Sequence, residues 1–126
     1  MEPEIIQKQS KNTPGISYDP GEETLTIVGR SIPENPETVY KLLREWLIQF
    51  FTLSDKLKIK IILEYINSGS SKHLLEILKL IRDYKEGGKE IRIIWYYEED
   101  DEAIMELGEH YRDTSGIPID VEMLIA

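Results

Sequence analysis

Cysteine is absent from the 126 residues, and histidine occurs only twice. Without cysteine the chain has no disulfide framework and no thiolate chemistry. No apolar run approaches the roughly 20 residues that a membrane span needs. The amino terminus also lacks the basic and apolar regions of a secretory signal. These absences predict a cytoplasmic protein.

Basic residues are in the minority, with 15 lysines and arginines against 24 aspartates and glutamates, a net charge of −9. Such a surface argues against nucleic acid and anionic membranes as partners and favours other proteins. The length suits one domain. We expect residues 1–126 to form it, with residues 1–12 as an edge strand or a loose tail.

Hydrophobic periodicity divides the chain into alternating strands and helices. The predicted elements are a hairpin over 13–28, a helix from Pro36 to about Phe51, a strand Leu57–Ile66, a helix Ser70–Lys85, a strand Ile91–Tyr97, a helix from Asp100 to about Tyr111 and a strand Gly116–Met123. The pattern predicts an α/β domain whose mixed sheet has an early antiparallel hairpin, then parallel β-α-β units, with about three helices packed on it. The apolar pair Ile62-Leu63 predicts a strand covered on both faces for part of its length.

The turn before the second predicted helix carries three hydroxyl groups, on Ser68, Ser70 and Ser71. Spacing alone favours helix capping as their role, because a serine hydroxyl accepts a hydrogen bond from an N–H two or three residues on. Phosphorylation is compatible with that role, since the positive end of a helix favours a phosphate.

Other candidates for chemistry have simpler structural explanations. The acidic run Glu98–Glu102 fits a divalent-metal site, but acidic residues also favour a helix N-terminus, which is the preferred interpretation. His73 and His110 are expected on solvated helix surface. Trp46 fits a helix core stripe, whereas Trp95 suits core and interface equally. The residues therefore predict no catalytic centre.

Several motifs together resemble one known family. They are Thr13-Pro14-Gly15-Ile16, Gly29-Arg30-Ser31-Ile32-Pro33-Glu34-Asn35, Leu63-Glu64-Tyr65-Ile66-Asn67-Ser68, Ser70-Ser71-Lys72 and Trp95-Tyr96-Tyr97 followed by Asp100-Asp101-Glu102. In this order they resemble the SiaC-type bacterial regulatory phosphoproteins, relatives of the anti-sigma-factor antagonists with a STAS-like fold. The resemblance runs almost end to end.

That resemblance implies a non-enzymatic switch in a partner-switching system, with no cofactor and no metal. A dedicated kinase would phosphorylate the hydroxyl directly after the Asn of the turn, here Ser68, with Ser70 and Ser71 as secondary candidates. A PP2C-type phosphatase would remove the phosphate. The unmodified form would bind a diguanylate cyclase or an anti-sigma factor, and so affect c-di-GMP signalling and biofilm formation or transcription.

The same resemblance implies which residues contact the partner. They are Tyr65, Asn67, Ser68, Gly69, Ser70, Lys72, Glu34 and Asn35. Ser68 stands where the family often has Thr, which keeps the hydroxyl, and Gly69 stands where it often has Ser. Asn67, in place of the Asp of the wider group, favours the SiaC branch. We expect a monomer or a weak dimer.

Two rival functions stay open. A constitutive STAS-like domain that binds a small molecule or nucleotide would be stabilised thermally by GTP or ATP. An enzyme with Asp100 and Asp101 at its metal site would bind Mg²⁺. A phosphate on Ser68 distinguishes the switch from both.

Overall fold

The computed structural model describes residues 2–125, and its strands and helices alternate after an initial run of three strands. In chain order the elements are β1 Glu4–Gln7, β2 Gly15–Asp19, β3 Thr24–Ser31, α1 Pro36–Leu53, β4 Lys56–Ile66, α2 Ser68–Glu86, β5 Glu90–Tyr97, α3 Glu102–Ser115 and β6 Asp120–Met123. The predicted α/β class and its three helices are confirmed.

The six strands form one sheet in the order β1-β2-β3-β4-β5-β6. The pairs β1/β2 and β2/β3 are antiparallel, and the remaining pairs are parallel. Strand-helix-strand crossovers are right-handed. Because each crossover here steps in the same direction, all three helices lie on one face of the sheet. The predicted mixed sheet is confirmed, and β1 forms its first edge.

The core lies between the helices and this covered face of the sheet. Alternate residues of β4 point into it, and Leu57, Ile59, Ile61 and Leu63 are at most 4% exposed. Lys58, Lys60 and Ile62 alternate onto the opposite face and are only half-buried. The prediction that β4 is covered on both faces for part of its length was therefore wrong at Ile62, because this apolar residue lies half-buried on the face without helices.

The two tryptophans occupy different depths. Trp95 is fully buried, and its indole N–H donates to the Ile104 carbonyl at 2.8 Å, which resolves its role as core. A Cβ built on Gly108 would lie 2.4 Å from Trp95 Cδ1, so α3 packs directly on the indole ring. Trp46 is half-buried and stacks on Phe50, with a centroid distance of 4.9 Å, as its helix stripe predicts.

Several predicted boundaries were displaced; for example, α3 runs from Glu102 to Ser115 rather than from Asp100 to about Tyr111. The second helix begins at Ser68 rather than Ser70. The last strand begins at Asp120 rather than Gly116, because Gly116 adopts a left-handed conformation with φ of 78° that ends α3. Ile117 and Ile119 are still buried, which explains their strand-like alternation in the sequence. Within residues 2–125, no helix has both the length and the apolar character of a membrane span.

Candidate functional site

The candidate site lies at the edge of the sheet where the parallel strands end. β3, β4 and β5 each lead into a helix, so the N-termini of α1, α2 and α3 lie along this one edge. Pro36, the first residue of α1, adjoins the first turn of α2: a Cβ built on Gly69 would lie 3.6 Å from Pro36 Cγ. The positive ends of the three helix dipoles therefore lie along this edge of the sheet.

Asn67 fixes the start of α2. Its side-chain Oδ1 accepts a hydrogen bond from the Ser70 N–H at 2.9 Å, which makes Asn67 the N-cap. Its own N–H donates to the Ser31 carbonyl at 3.0 Å, so the end of β3 holds the cap in place. The expectation that a serine caps this helix was wrong, because Asn67 already supplies the capping oxygen one residue earlier.

Ser68 is consequently the first helical residue, and it is exposed. The N–H groups of a first helical turn have no intrahelical partner and attract anions. Lys72 lies four residues on, one turn along the same helix face, and is also exposed. A phosphate on Ser68 would therefore meet a helix N-terminus and a nearby cation without any change of fold.

Most of the other predicted contact residues share this surface. Tyr65 is 52% exposed at the end of β4, Gly69 is exposed in the first turn of α2, and Glu34 and Asn35 are exposed in the loop before α1. Asn67 is half-buried. Ser70 is fully buried, so its prediction as a contact residue was wrong: in α2 it points towards the core rather than outward. A kinase would have no access to its hydroxyl.

A layer of buried and half-buried hydroxyl groups lies between the first turn of α2 and the core. Ser31 and Tyr40 share a hydrogen bond of 2.7 Å between their hydroxyls, and Ser71 shares one with Tyr111. These pairs are separated by 9 and 40 residues in the chain. Sequence analysis missed this layer, since no local pattern marks hydroxyl pairs that only the tertiary fold brings together.

The buried Tyr40 hydroxyl makes the free energy of unfolding depend on pH in the alkaline range. Burial raises the pKa of Tyr40 to about 12, with the Ser31 hydrogen bond acting in the opposite direction. Above pH 10 the unfolded chain loses this proton while the folded chain keeps it, so the free energy of unfolding falls as pH rises from 10 towards 12. Between pH 9 and 11 we expect Tyr40 to account for a loss of about 1 kcal/mol.

Urea unfolding of the wild type and Tyr40→Phe at both pH values measures this contribution. The phenylalanine variant starts less stable, because Ser31 loses its partner, and should lose less stability on going to pH 11. Equal losses in the two proteins would contradict the assignment.

The Ser70 hydroxyl lies in the same layer and allows a second test of how these hydroxyls affect the free energy of unfolding. Its Oγ is buried near the Tyr40 hydroxyl without the geometry of a hydrogen bond. Removing an unpaired buried hydroxyl relieves a desolvation penalty, and alanine has the higher helix propensity. We therefore expect Ser70→Ala to leave the free energy of unfolding unchanged or to raise it by up to about 1 kcal/mol.

The matched control is Ser71→Ala, which breaks the hydrogen bond to Tyr111 and should lower the free energy of unfolding by about 1 kcal/mol. Urea unfolding of both variants decides the matter. Equal destabilisation by the two substitutions would show that Ser70 has a partner.

The remaining candidates have structural roles. Asp101 caps α3, with its Oδ1 accepting from the Ile104 N–H at 3.0 Å, and Glu102 lies in the first turn, so part of the acidic run serves the helix N-terminus. Across residues 2–125, no three side chains of His, Cys, Asp or Glu converge as metal ligands.

The two histidines differ in exposure. His110 is exposed, as predicted. His73 is half-buried and stacks on Tyr40 with a centroid distance of 5.9 Å, so the prediction that it lies on solvated surface was wrong.

The strand order also bears on the nucleotide-binding alternative. Ligands of open α/β sheets bind in a crevice where the strand order reverses and helices pass to opposite faces. Over the described residues the parallel strands follow one another without such a reversal. The site is therefore an exposed helix end on a surface, which suits contact with a macromolecule.

Comparison with known proteins identifies the family. The model of the SiaC family of regulatory phosphoproteins matches residues 7–124. The chain belongs to this family. Its fold also superimposes on SiaC of Pseudomonas aeruginosa with a TM-score of 0.85 at 25% identity, covering 98% of this chain and all of that one. The family is one of regulatory phosphoproteins.

Two further relatives extend the comparison. One is SiaC in a crystal structure from Pseudomonas aeruginosa, which holds the diguanylate cyclase SiaD in complex with its activator SiaC. The match has a TM-score of 0.86 and 26% identity, and it covers 94% of this chain and 98% of that one. An uncharacterized protein of Pseudomonas aeruginosa strain UCBPP-PA14 is 27% identical over 114 residues, 90% of each chain.

Proposed function

We propose that this SiaC-family protein binds a diguanylate cyclase and activates it, and that phosphorylation of Ser68 prevents this binding. The observation that carries the proposal is the match to a relative whose structure contains a diguanylate cyclase with SiaC as its activator. The match covers 94% of this chain and 98% of the relative's, so the two proteins share the whole fold on which a partner would bind.

Phosphorylation at Ser68 is supported by the family and by geometry. The family is one of regulatory phosphoproteins. Ser68 is the exposed first residue of α2, whereas Ser70 is buried and Ser71 is half-buried and bonded to Tyr111. Of the three hydroxyls, that of Ser68 is the one a kinase can reach.

The contact surface is assigned to the exposed residues around that hydroxyl. Tyr65 supplies an aromatic side chain of the kind enriched at binding hot spots. Gly69 leaves room for close approach, and Lys72, Glu34 and Asn35 provide polar groups at the rim. A phosphate at the centre of this patch would add about −1.5 to −2 charges to a chain already at −9.

A kinase and a PP2C-type phosphatase complete the proposed system. Neither activity has a catalytic constellation among the described residues of this chain, so both are assigned to separate proteins. The output would be c-di-GMP synthesis. An anti-sigma factor in place of the cyclase would instead make the output transcriptional.

Reconstitution tests the proposal. Protein purified from its own bacterium is analysed by intact-mass and peptide-mapping mass spectrometry, then added to the cognate diguanylate cyclase before and after treatment with a PP2C-type phosphatase. We expect a phosphate on Ser68 and cyclase activation by the dephosphorylated form alone. Equal activation by both forms would contradict the switch, and no binding by either form would contradict the choice of partner.

A further inference from the structure

The sheet has a second face that no helix covers, here called the open face. All-parallel sheets occur almost only with both faces covered, whereas antiparallel sheets commonly leave one face to solvent. In this protein β3, β4, β5 and β6 pair in parallel, yet all three helices lie on the opposite side. The open face therefore leaves the four parallel strands without a helix on one side, which makes it a candidate for a partner's contact.

The middle of the open face is apolar. Val28 on β3 is paired with Ile62 on β4, and both are half-buried. Ile94 on β5 is only 3% exposed although no helix covers it, and Tyr96, two residues on, is half-buried. These side chains form a patch about three strands wide, which is roughly the width that one helix covers on a sheet.

Two lysines on β4 give this patch a positive border. Lys60 is paired with Ile94, and Lys58 with Arg92. Arg92 is neutralised by Asp120 at 3.0 Å and Glu122 at 3.6 Å. Within residues 2–125, no acidic side chain lies within 4.0 Å of the ammonium of Lys58 or Lys60. This border therefore carries positive charge without an acidic partner, in a chain of net charge −9.

We propose that the protein partner of the proposed function covers the open face with an acidic amphipathic helix. This inference rests on that function. A helix is the element that naturally covers a parallel sheet. Its apolar side would bury Val28, Ile62 and Tyr96, and its carboxylates would pair with Lys58 and Lys60.

The open face and the Ser68 surface are adjacent, so one partner can contact both. Ile62 and Tyr65 lie on the same strand, three residues or about 10 Å apart. The chain then turns directly into α2 at Ser68. A partner helix along β4 would leave the sheet at the edge where the phosphate is added, which lets a modification at the edge weaken the whole contact.

Charge reversal tests the electrostatic half of the inference. The binding of the cognate diguanylate cyclase is measured by calorimetry for the wild type and for Lys58→Glu/Lys60→Glu. The matched control Lys41→Glu/Lys79→Glu changes the same net charge on helices α1 and α2. We expect the dissociation constant to rise at least about tenfold for the open-face variant and to change by less than about twofold for the control.

Lysine acetylation followed by mass spectrometry gives an independent location of the contact. In the wild-type complex Lys58 and Lys60 should be protected and Lys41 should label as in the free protein. Equal labelling of Lys58 and Lys60 in the free and bound protein would overturn the inference while leaving the proposed function intact. Failure of the wild type to bind any cyclase would overturn both. Lys58→Gln/Lys60→Gln, with its smaller charge change, serves as the second variant and should weaken binding in the same direction.

Discussion

Replacing Ser68 by aspartate is expected to weaken the binding of the diguanylate cyclase at least about a hundredfold, or 2.7 kcal/mol. The substituted carboxylate would lie at the centre of the proposed contact surface, where the partner excludes water. Burying an unpaired charge there costs binding free energy. Residues near the centre of an interface also contribute most of the binding free energy.

The same substitution should leave the fold unharmed. Ser68 is the first residue of α2 and is exposed, and a negative charge at a helix N-terminus is favourable by about 0.3–1 kcal/mol. We therefore expect the melting temperature of Ser68→Asp to equal or slightly exceed that of the wild type. A large loss of stability would show that the Ser68 side chain has a structural role instead.

Ser68→Asn is the matched control, because asparagine has the size of aspartate without its charge. If the mechanism is electrostatic, Ser68→Asn and Ser68→Ala keep most of the affinity and resist the kinase. Calorimetric titration of the four proteins with the cyclase separates the possibilities. Equal weakening by asparagine and aspartate would replace the electrostatic mechanism with a steric one, and wild-type affinity in Ser68→Asp would remove Ser68 from the interface.

Gly108→Ala should lower the free energy of unfolding by about 2–3 kcal/mol. In an unhindered helix the same change would stabilise by up to about 1 kcal/mol, because glycine has the greater backbone entropy when unfolded. Here the added Cβ would lie 2.4 Å from Trp95 Cδ1 and 2.7 Å from Trp95 Cγ.

The indole ring cannot move aside to accommodate that methyl group. Trp95 is fully buried, its N–H is held by the Ile104 carbonyl, and its ring meets Tyr111 edge-on with a centroid distance of 5.3 Å. Helix α3 would have to shift away from β5, which would also disturb the Ser71–Tyr111 hydrogen bond under the first turn of α2.

A second helical glycine provides the control. A Cβ on Gly69 would lie 3.6 Å from Pro36 Cγ, an ordinary contact, and its backbone has no positive φ. Gly69→Ala is therefore expected to be neutral or stabilising by up to about 1 kcal/mol. Urea unfolding of the two variants should give opposite signs, and a neutral Gly108→Ala would contradict the close approach of α3 to Trp95.

The order of elements followed from periodicity because the core-facing residues alternate strictly. Leu57, Ile59, Ile61 and Leu63 point to one side of β4, and this pattern is visible without a structure. The prediction for the opposite face of β4 was wrong at Ile62, because the sequence does not distinguish an apolar side chain on an uncovered face from one in the core. Which faces are covered depends on the direction of every crossover, a property of the whole chain.

The candidate site was predictable in part. The family motifs indicated Ser68, whereas spacing alone favoured capping for it. The structure shows why spacing was misleading: Asn67 supplies the capping oxygen to the Ser70 N–H, so none of the three serines is needed as the cap. The burial of Ser70 had a local signal, because Ser70 continues the apolar stripe of Leu74, Ile77 and Ile81 on α2. The hydroxyl pairs Ser31–Tyr40 and Ser71–Tyr111 had none, because the fold alone brings their members together.

The position of Ser68 at the start of α2 has a consequence for the ionisation of an attached phosphate. The helix N-terminus and the ammonium of Lys72 would both favour the dianion over the monoanion, so they would lower the second pKa of a phosphate attached there below its ordinary value. At neutral pH the group would then carry close to its full double charge. Small shifts in cellular acidity would leave the signal it conveys unaltered.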